Sequence, residues 1–425
     1  VIHLSTNLQL MQMHIIKKED LKNHIFIDHT LIINEIERSI KSYNWDFILS
    51  SLPSGSFLVG GYIRDLILGR LNSVIDVDIL VPKNAINVGK KIADKFEGKF
   101  IILDEARDVV RIIFKHISID IASQISPSID IDLLSRDFSI NAIAFSFEEK
   151  LLIDPSNGIK DLQLAFLRTN SKQNLLDDPL RILRCFRFIS ELDFNVDVTL
   201  IDFIKTYKNQ LRLVANERIN YEIQRIIRGG EASQAIILIN KFKIFDYIQS
   251  EKNLIFLDLE KINFEEFNKF EKEKFLPLFY LVQILDEFSL KNLKFSKSEI
   301  SKIRLLRKWN LLLKMQTIYE FNERERFDLH QELETILPSF ILFLPKSFYI
   351  NWLARWRDKD DKLFHPSNLI KGDVLKKYLE IQDGPILGKV INYLSMELAY
   401  NRLNNFDEAI YKGKQWIQQN APKCD

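Results

Sequence analysis

The spacing of apolar and polar residues changes character along the chain. Between residues 31 and 52 the apolar positions recur at helical spacing, and Pro53 and Gly55 mark where this helix ends. Short runs with strand-like alternation then follow up to residue 150. The predicted strands are 57–59, 74–81, 99–103, 109–115, 118–122 and 142–147. A helix is predicted at 86–96, between the second and third of these strands, so this part of the chain is a small α/β unit.

The pattern changes again at the turn-rich segment Asp154–Gly158. From about residue 175 onwards, amphipathic helices with short polar breaks dominate and strand signals are scarce. We therefore predict an α+β fold, in which a small mixed sheet with helices precedes a large all-helical region. Residues 1–28 show weak patterning and are predicted to form an extension ahead of the first helix.

Composition limits the class of protein without assigning a function. The 425 residues include only 13 glycines and 11 prolines, which favours helix over an all-β architecture. The net charge of +1 means that any nucleic-acid surface must be a local patch. Cys185 and Cys424 are not spaced as a metal site. No apolar run reaches the roughly 18 residues of a membrane span. The first residues lack a secretory pattern. We expect a soluble cytoplasmic protein with no membrane partner.

The segment from residue 57 to 81 carries the clearest indication of a reaction. A short strand leads into Gly60-Gly61, and the helix that follows carries Arg64. The next strand presents Asp76 and Asp78 on one face, because side chains alternate along a strand. Two neighbouring carboxylates are typical of Mg²⁺ sites that are completed by substrate phosphates, and a glycine turn before a helix is a potential anion site. Either element alone is more often a tight turn or a solvated strand edge, but together they predict phosphoryl or nucleotidyl transfer.

Two further polar residues belong to the same region of the chain. Asp120 interrupts the apolar strand 118–122, where it is a third metal-site carboxylate, a base for a 3′-hydroxyl, or an outward-facing edge residue. Arg136 either contacts a triphosphate or forms a surface pair with Asp137. We expect Asp137 and Asn141 to hold loop geometry through side-chain hydrogen bonds.

A charged stripe opens the helical region. Asp177 is predicted to be the N-cap or a first-turn acid of a helix that has Pro179 in its first turn. Asp178, Arg181, Arg184 and Arg187 recur on one face of this helix. Most such stripes are solvated faces. A carboxylate beside a guanidinium also matches the pairing edges of cytosine and adenine and rejects uracil and guanine. We therefore predict that Asp178 and Arg181 select the base, and that the other arginines meet phosphates.

The segment from residue 291 to 308 is basic although the chain as a whole is nearly neutral. Such runs are usually solvated, but this one is long enough to follow an RNA backbone. The candidate RNA-binding residues are Lys297, Lys302, Arg304, Arg307 and Lys308.

These motifs resemble the class II nucleotidyltransferases of the polymerase-β type, which include the bacterial tRNA CCA-adding enzymes. The resemblance rests, in order, on LVGGYIRDLILGR, DVDIL, RDFSINAIA, DPSNGIKDL, DDPLRILRCFRF and ERINYE. It implies template-independent addition of nucleotides to the tRNA 3′ end from ATP and CTP, with Asp76 and Asp78 holding two metals. The implied nucleotide contacts are Gly61, Arg64, Arg136, Asp178, Arg181, Arg184 and Arg187. The nucleobase motif departs from the family in one position, since it begins Asp177-Asp178 rather than Glu-Asp.

The resemblance also implies a domain order and a choice of products. The expected parts are an extension and helix (1–53), a nucleotidyltransferase head (54–150), a neck with the base-selecting helix (151–230), and a helical body and tail that bind tRNA (231–425). The segment Gly98–Arg107 is more similar to the versions in A-adding and CCA-adding enzymes, which makes CCA or the terminal A the expected product. The alternatives are CC addition or poly(A) synthesis, and outside the family a small-molecule nucleotidyltransferase or a non-catalytic RNA-binding protein.

Overall fold

The computed structural model describes residues 28–71, 74–250 and 257–420, so nearly all of the predicted N-terminal extension lies outside the described residues. Its main sheet has seven strands in the order β3-β4-β5-β2-β1-β6-β7. Their bounds are β1 Phe57–Val59, β2 Ile75–Val81, β3 Lys99–Asp104, β4 Val109–Ile113, β5 Ile117–Ser123, β6 Ala144–Ser146 and β7 Leu152–Ile153. The central pair, β2 and β5, is parallel, and the other neighbours are antiparallel.

Helices and one small sheet surround the main sheet in the first part of the chain. The helices are α1 His29–Ser42, α2 Gly61–Ile67, α3 Ala85–Phe96, α4 Ile129–Leu134, α5 Gly158–Gln163, α6 Lys172–Asp177, α7 Arg181–Leu192 and α8 Val198–Tyr207. Two short parallel strands, β8 Phe166–Leu167 and β9 Asn195–Val196, form the second sheet. Single 3₁₀ turns cover Asp46–Ser51, Ser139–Asn141 and Lys208–Leu213.

One face of the main sheet is buried because its residues alternate as the sequence predicts. Val77, Ile119 and Val110 are at most 1% exposed on three successive strands. Helix α3 packs against β4 and β5 on this face. It approaches closely at Gly89, where a Cβ atom would lie 2.6 Å from Val110 Cγ1. On the opposite face, Val59, Leu80 and Ala144 pack with Leu133 of α4, and Asp76 and Asp78 precede Leu80 along β2.

From residue 216 onwards the described chain contains helices and no strands. They are α9 Asn216–Ile226, α10 Ala232–Phe242, α11 Lys269–Ile284, α12 Glu287–Asn292, α13 Lys297–Met315, α14 Glu323–Leu333, α15 Leu337–Ile341, α16 Tyr349–Arg357, α17 Gly372–Leu379, α18 Pro385–Ala399 and α19 Phe406–Asn420, with 3₁₀ turns at Leu259–Lys261, Glu334–Ile336 and Lys346–Phe348. The prediction of an α+β fold, with a sheet-containing part followed by an all-helical part, is confirmed.

The chain divides into two compact units after Ala215. The finer division at residues 53, 150 and 230 stays a prediction. No single helix in the described ranges is long and apolar enough to cross a membrane. Among the helices that the structure describes, one pair, Glu323–Ile341 and Lys346–Arg357, reaches that length and composition together, and the pair is bent by 120°.

The structure corrects two local predictions. The helix predicted from residue 31 to 52 ends at Ser42, because Asn44 takes a positive φ of 51° and Trp45 turns into the core. Asp177 does not cap the charged helix, since it is the last residue of α6. Asp178 then adopts extended backbone (φ −140°), and α7 begins at Arg181. The predicted stripe is therefore a loop carboxylate followed by helical arginines.

Candidate active site

Three carboxylates lie side by side on the open face of the sheet. In β2, Asp76 is exposed and Asp78 half-buried, while Val77 between them points into the core. This is the shared face that the alternation predicted. Asp120 on β5 is the direct partner of Asp78 in the parallel pairing. Side chains of paired residues stand on the same face, so Asp120 extends the row that begins at Asp78.

The row places three groups of like charge close together on one face of the sheet. Burial, together with repulsion from Asp120 and Asp76, raises the pKa of Asp78 to about 6. The positive charges of Arg136 and Arg111 act in the opposite direction. The strand pair thus holds three acids close together, and the ionisation of Asp78 is disfavoured there. A cation beside Asp76 and Asp78 would remove this penalty.

The donor set suits a divalent cation that is only partly coordinated by protein. Within residues 28–71, 74–250 and 257–420, no three Asp, Glu, His or Cys side chains converge as a complete metal cluster. Mg²⁺ commonly takes one or two carboxylates and fills its remaining positions with phosphate oxygens and water. Asp76 and Asp78 fit that role.

Asp120 has a partner that the sequence did not reveal. Arg111 on β4 binds it in bidentate fashion, with Nε 2.7 Å from Oδ1 and Nη2 2.8 Å from Oδ2. The two residues are paired across β4 and β5. This ion pair is held by the sheet register, because directly opposed residues on antiparallel strands share a face. Arg111 therefore fixes the direction of the Asp120 carboxylate.

The glycine turn lies beside the carboxylates. Gly60 has a φ of +76°, and a Cβ atom there would lie 3.1 Å from Arg136 Nη1 and 3.3 Å from Asp78 Oδ2. The absence of a side chain lets Arg136 reach the edge of the carboxylate row. The Gly60 N–H donates to the Ile143 carbonyl at 3.2 Å, so it is engaged within the sheet instead of facing an anion. Arg136 itself is oriented by Asp132, whose Oδ1 accepts from Nε and Nη2 at 3.2 Å each.

A continuous hydrogen-bond network connects two predicted nucleotide-binding arginines from distant parts of the chain. Arg64 on α2 donates from Nη1 to Asn141 Oδ1 at 2.7 Å, and Asn141 donates to Asp137 Oδ1 at 2.9 Å. Asp137 Oδ2 accepts from Arg184 Nε at 2.7 Å. Although burial raises the pKa of Asp137, the charge of Arg184 and the hydrogen bonds bring it below its usual range. Asp137 therefore remains ionised.

The same arginines surround one buried aromatic ring. The guanidinium carbons of Arg64, Arg184 and Arg187 lie 5.1, 5.9 and 4.7 Å from the centre of the Phe188 ring. Phe188 is 1% exposed and meets Phe138 edge to face. Cations near an aromatic face are stabilised by its quadrupole, so Phe188 helps to hold the three charges together. No sequence pattern had distinguished Phe188 from an ordinary core residue.

Asp178 and Arg181 lie at the start of α7. Asp178 Oδ1 accepts from the Leu180 N–H at 3.2 Å. Arg181 Nη1 donates to the carbonyls of Ser135 and Asn174, each at 3.0 Å. One nitrogen of Arg181 is thus used to fix its direction. The guanidinium carries further donors for other partners.

Two models of known protein families match parts of this chain. A family model described as "Poly A polymerase head domain" matches residues 56–125 and 122–168. A second, described as "Probable RNA and SrmB- binding site of polymerase A", matches residues 193–253. The first match covers the carboxylate row, the glycine turn and the Asp137 network except for Arg184.

Relatives and solved structures agree with these models. The CC-adding tRNA nucleotidyltransferase of Synechocystis is 29% identical over 86% of this chain and 94% of its own length. That of Geobacter sulfurreducens is 35% identical over 43% of this chain and 45% of its own. The Thermotoga maritima CCA-adding enzyme, solved with tRNA, shares the fold with a TM-score of 0.67 at 22% identity, covering 92% of this chain and 99% of its own. The chain belongs to the class II tRNA nucleotidyltransferase family. The predicted resemblance is confirmed.

The predicted RNA-binding residues of this nucleotidyltransferase do not form one uniform basic surface. Arg304 donates from Nε to Glu287 at 3.0 Å, and Lys308 bonds Glu332 at 2.6 Å. The bonds from Arg304 and Lys291 lower the pKa of Glu287 to about 2. Arg307 turns inward and donates to the carbonyls of Val282 and Leu285. Lys297 is exposed at the start of α13 and Lys302 is half-buried one turn later. The partners of these cations are acidic side chains distant in the sequence and backbone carbonyl groups.

The Gly60 turn makes the first prediction for this nucleotidyltransferase. Gly60→Ala places a methyl group between Arg136 and Asp78 at a φ that L residues rarely adopt. We expect nucleotide addition to fall roughly a hundredfold, because small displacements of reacting groups have effects of that order. Gly55→Ala is the matched control, since Gly55 has the same φ of +76° and its Cβ would lie 3.3 Å from Pro82 Cγ, away from the carboxylates. Steady-state kinetics and urea unfolding of both variants check this. Equal activity in the two variants would contradict the role given to the turn.

Proposed function

We propose that this nucleotidyltransferase adds nucleotides to the 3′ end of tRNA without a template, using CTP and ATP with Mg²⁺ in the cytoplasm. The observation that carries the proposal is the row of Asp76, Asp78 and Asp120, with Gly60 and Arg136 against its end. Such a row is suited to bind a metal and a nucleoside triphosphate together. Membership of the family, and the activities named for its relatives, support tRNA as the acceptor.

The reaction joins the 3′-oxygen of the RNA to the α-phosphorus of the incoming nucleotide and breaks the bond to the bridging oxygen of the β-phosphate. Pyrophosphate leaves, and the hydroxyl proton passes to a base. Asp76 and Asp78 would hold Mg²⁺, which would favour the deprotonated 3′-hydroxyl and neutralise charge on the departing pyrophosphate. Arg136 and Arg64 bind and orient the triphosphate. Asp120 is the proposed proton acceptor, held in place by its ion pair with Arg111.

The activity is tested with labelled CTP and ATP on tRNA that ends at the discriminator base, at C or at CC. Asp78→Asn keeps the shape of the side chain and removes the charge, so we expect nearly complete loss of addition on every primer. Asp130→Asn, at an exposed position on α4, is the control and should retain full activity. Normal turnover in a folded Asp78→Asn variant would refute the metal assignment. Transfer to a small molecule instead of tRNA, or to neither, would place the chain in another class.

The same assay decides which nucleotides are added. CC addition is a second candidate product, favoured by the Synechocystis relative that aligns over 86% of this chain. The segment Gly98–Arg107 led to the expectation of CCA or of the terminal A. Incorporation of CTP alone, stopping at CC, identifies a CC-adding enzyme. ATP incorporation on the CC-ended primer without any CTP incorporation identifies an A-adding enzyme, completion of CCA on the shorter primers identifies a CCA-adding enzyme, and long ATP tracts identify a poly(A) polymerase.

Base choice provides the third prediction. We assign it to Asp178 and Arg181, because a carboxylate and an oriented guanidinium match the pairing edges of cytosine and adenine. Asp178→Ala should relax the rejection of UTP and GTP by about 1–3 kcal/mol and slow the correct addition. The ratio of kcat/KM values for CTP, ATP, UTP and GTP measures this. Asp177→Ala changes the exposed neighbouring acid and serves as control. An unchanged ratio in Asp178→Ala would place selection elsewhere.

The fourth prediction separates binding from structure in the helical unit. The double variant Lys297→Ala, Lys302→Ala should have a higher KM for tRNA, and this KM should depend less on salt. When phosphate contacts are lost, fewer counterions are released on binding. The KM for nucleotide should not change. Arg307→Ala should instead destabilise the fold by about 1–3 kcal/mol, since the carbonyls of Val282 and Leu285 lose their donor. Salt-dependent kinetics and urea unfolding distinguish the two effects. A normal KM for tRNA in the double variant would remove this segment from the RNA-binding surface.

A further inference from the structure

The open face of the sheet continues beyond the carboxylates towards the β3 edge. The pairing register aligns Asp78, Asp120, Arg111 and Ile101 across β2, β5, β4 and β3. Because paired residues project to the same side, these four side chains form one row on the face of the sheet that carries Asp76 and Asp78. Arg111 is 40% exposed, and Ile101 is partly exposed.

A second row runs beside the first. It aligns Asp76, Ser118, Ile113 and Lys99 across the same four strands. Ile113 is 38% exposed, and Lys99 at the start of the edge strand is exposed. Two isoleucines and two cations therefore cover the part of the open face that lies on β4 and β3. We call Lys99, Ile101, Arg111 and Ile113 the strand platform.

The chemistry of the reaction indicates which substrate this platform faces. The groups proposed to hold the triphosphate, Gly60 and Arg136, lie on the β1 side of Asp78. In phosphoryl transfer the attacking and leaving oxygens are roughly in line, on opposite sides of the phosphorus. If pyrophosphate leaves on the β1 side, the attacking 3′-hydroxyl approaches from the β5 side. The RNA behind that hydroxyl then lies over β5, β4 and β3.

We propose that the strand platform binds the terminal nucleotides of the RNA acceptor. Ile113 and Ile101 offer apolar surface to a base or ribose, and Lys99 faces the phosphate behind it. Arg111 uses two of its five donors on Asp120 and has others for the RNA backbone. The inference rests on the proposed nucleotidyl transfer, and it assigns the acceptor to residues outside both the carboxylates and the basic segment of the helical unit.

The competing explanation is that Lys99 simply protects an edge strand. Exposed apolar edge strands promote aggregation, and a lysine there opposes it. Under that explanation, reversing the charge at Lys99 would leave the acceptor KM unchanged, since a glutamate blocks edge pairing equally well. Under the platform proposal, the same reversal repels phosphate.

The test compares Ile113→Glu and Lys99→Glu with Ile102→Glu. Ile102 is 47% exposed on the same edge strand and is paired with the buried Val110, which places it towards the other face of the sheet. We expect the two platform variants to raise the KM for tRNA roughly tenfold, which is the order of losing one base contact. The KM for CTP or ATP should stay within twofold, and Ile102→Glu should match the parent in both constants. Fluorescence anisotropy of labelled tRNA, without nucleotide or metal, should show weaker tRNA binding by the two platform variants than by Ile102→Glu and the parent.

The outcomes separate this inference from the proposed function. If the parent chain extends tRNA and both platform variants keep its acceptor KM, the platform is refuted while the function stands. If the parent extends no RNA, the function itself fails. Equal rises in acceptor and nucleotide KM, or the same loss in Ile102→Glu, would show general damage to the sheet and would also overturn the platform. Lys99→Glu keeps the test decisive if Ile113→Glu does not fold, because Lys99 is exposed at a strand end.

Discussion

The central constraint on this molecule is the parallel pairing of β2 and β5 in the main sheet. It places Asp78 directly beside Asp120, with Asp76 two residues away, and so concentrates negative charge on a rigid surface. The raised pKa of Asp78 is the direct result of burial and this repulsion. A site that is electrostatically unfavourable when empty is one that a cation stabilises. The Gly60 turn, Arg136 and Arg111 are all arranged around that row.

The arginines of the candidate site are fixed by neighbouring acids and amides before any substrate is bound. Arg111 is held by Asp120, Arg136 by Asp132, and Arg184 by Asp137. Asn141 carries the connection from Asp137 to Arg64. Each guanidinium has five donors, so a partner that orients the group does not exhaust it. The loop between α4 and β6 therefore positions two of the arginines predicted to meet the nucleotide, which explains why a short polar segment carries so distinct a motif.

Local patterns in the sequence identified the strands and the aspartate pair, because alternation along a strand directly decides which side chains share a face. The bounds of β1, β2, β3 and β5 agree with the prediction to within a residue or so. The partners of those side chains could not be read in the same way. Arg111 meets Asp120 only through strand pairing, and Phe188 gathers three arginines from two distant helices. The basic segment shows the limit most clearly, since Arg304 and Arg307 find an acid and two carbonyls outside their own helix.

The near-zero net charge of the chain also acquires a physical meaning. A protein that binds two polyanions would be expected to carry a large positive excess if its cations acted simply by attraction. Here, many cations at the candidate site and along α13 are matched by nearby acids, so long-range attraction is weak and short-range geometry decides what is bound. Such pairing reduces non-specific affinity for phosphate while it keeps the donors aligned. For an enzyme that must release its RNA product, binding that depends on alignment more than on total charge favours turnover over retention.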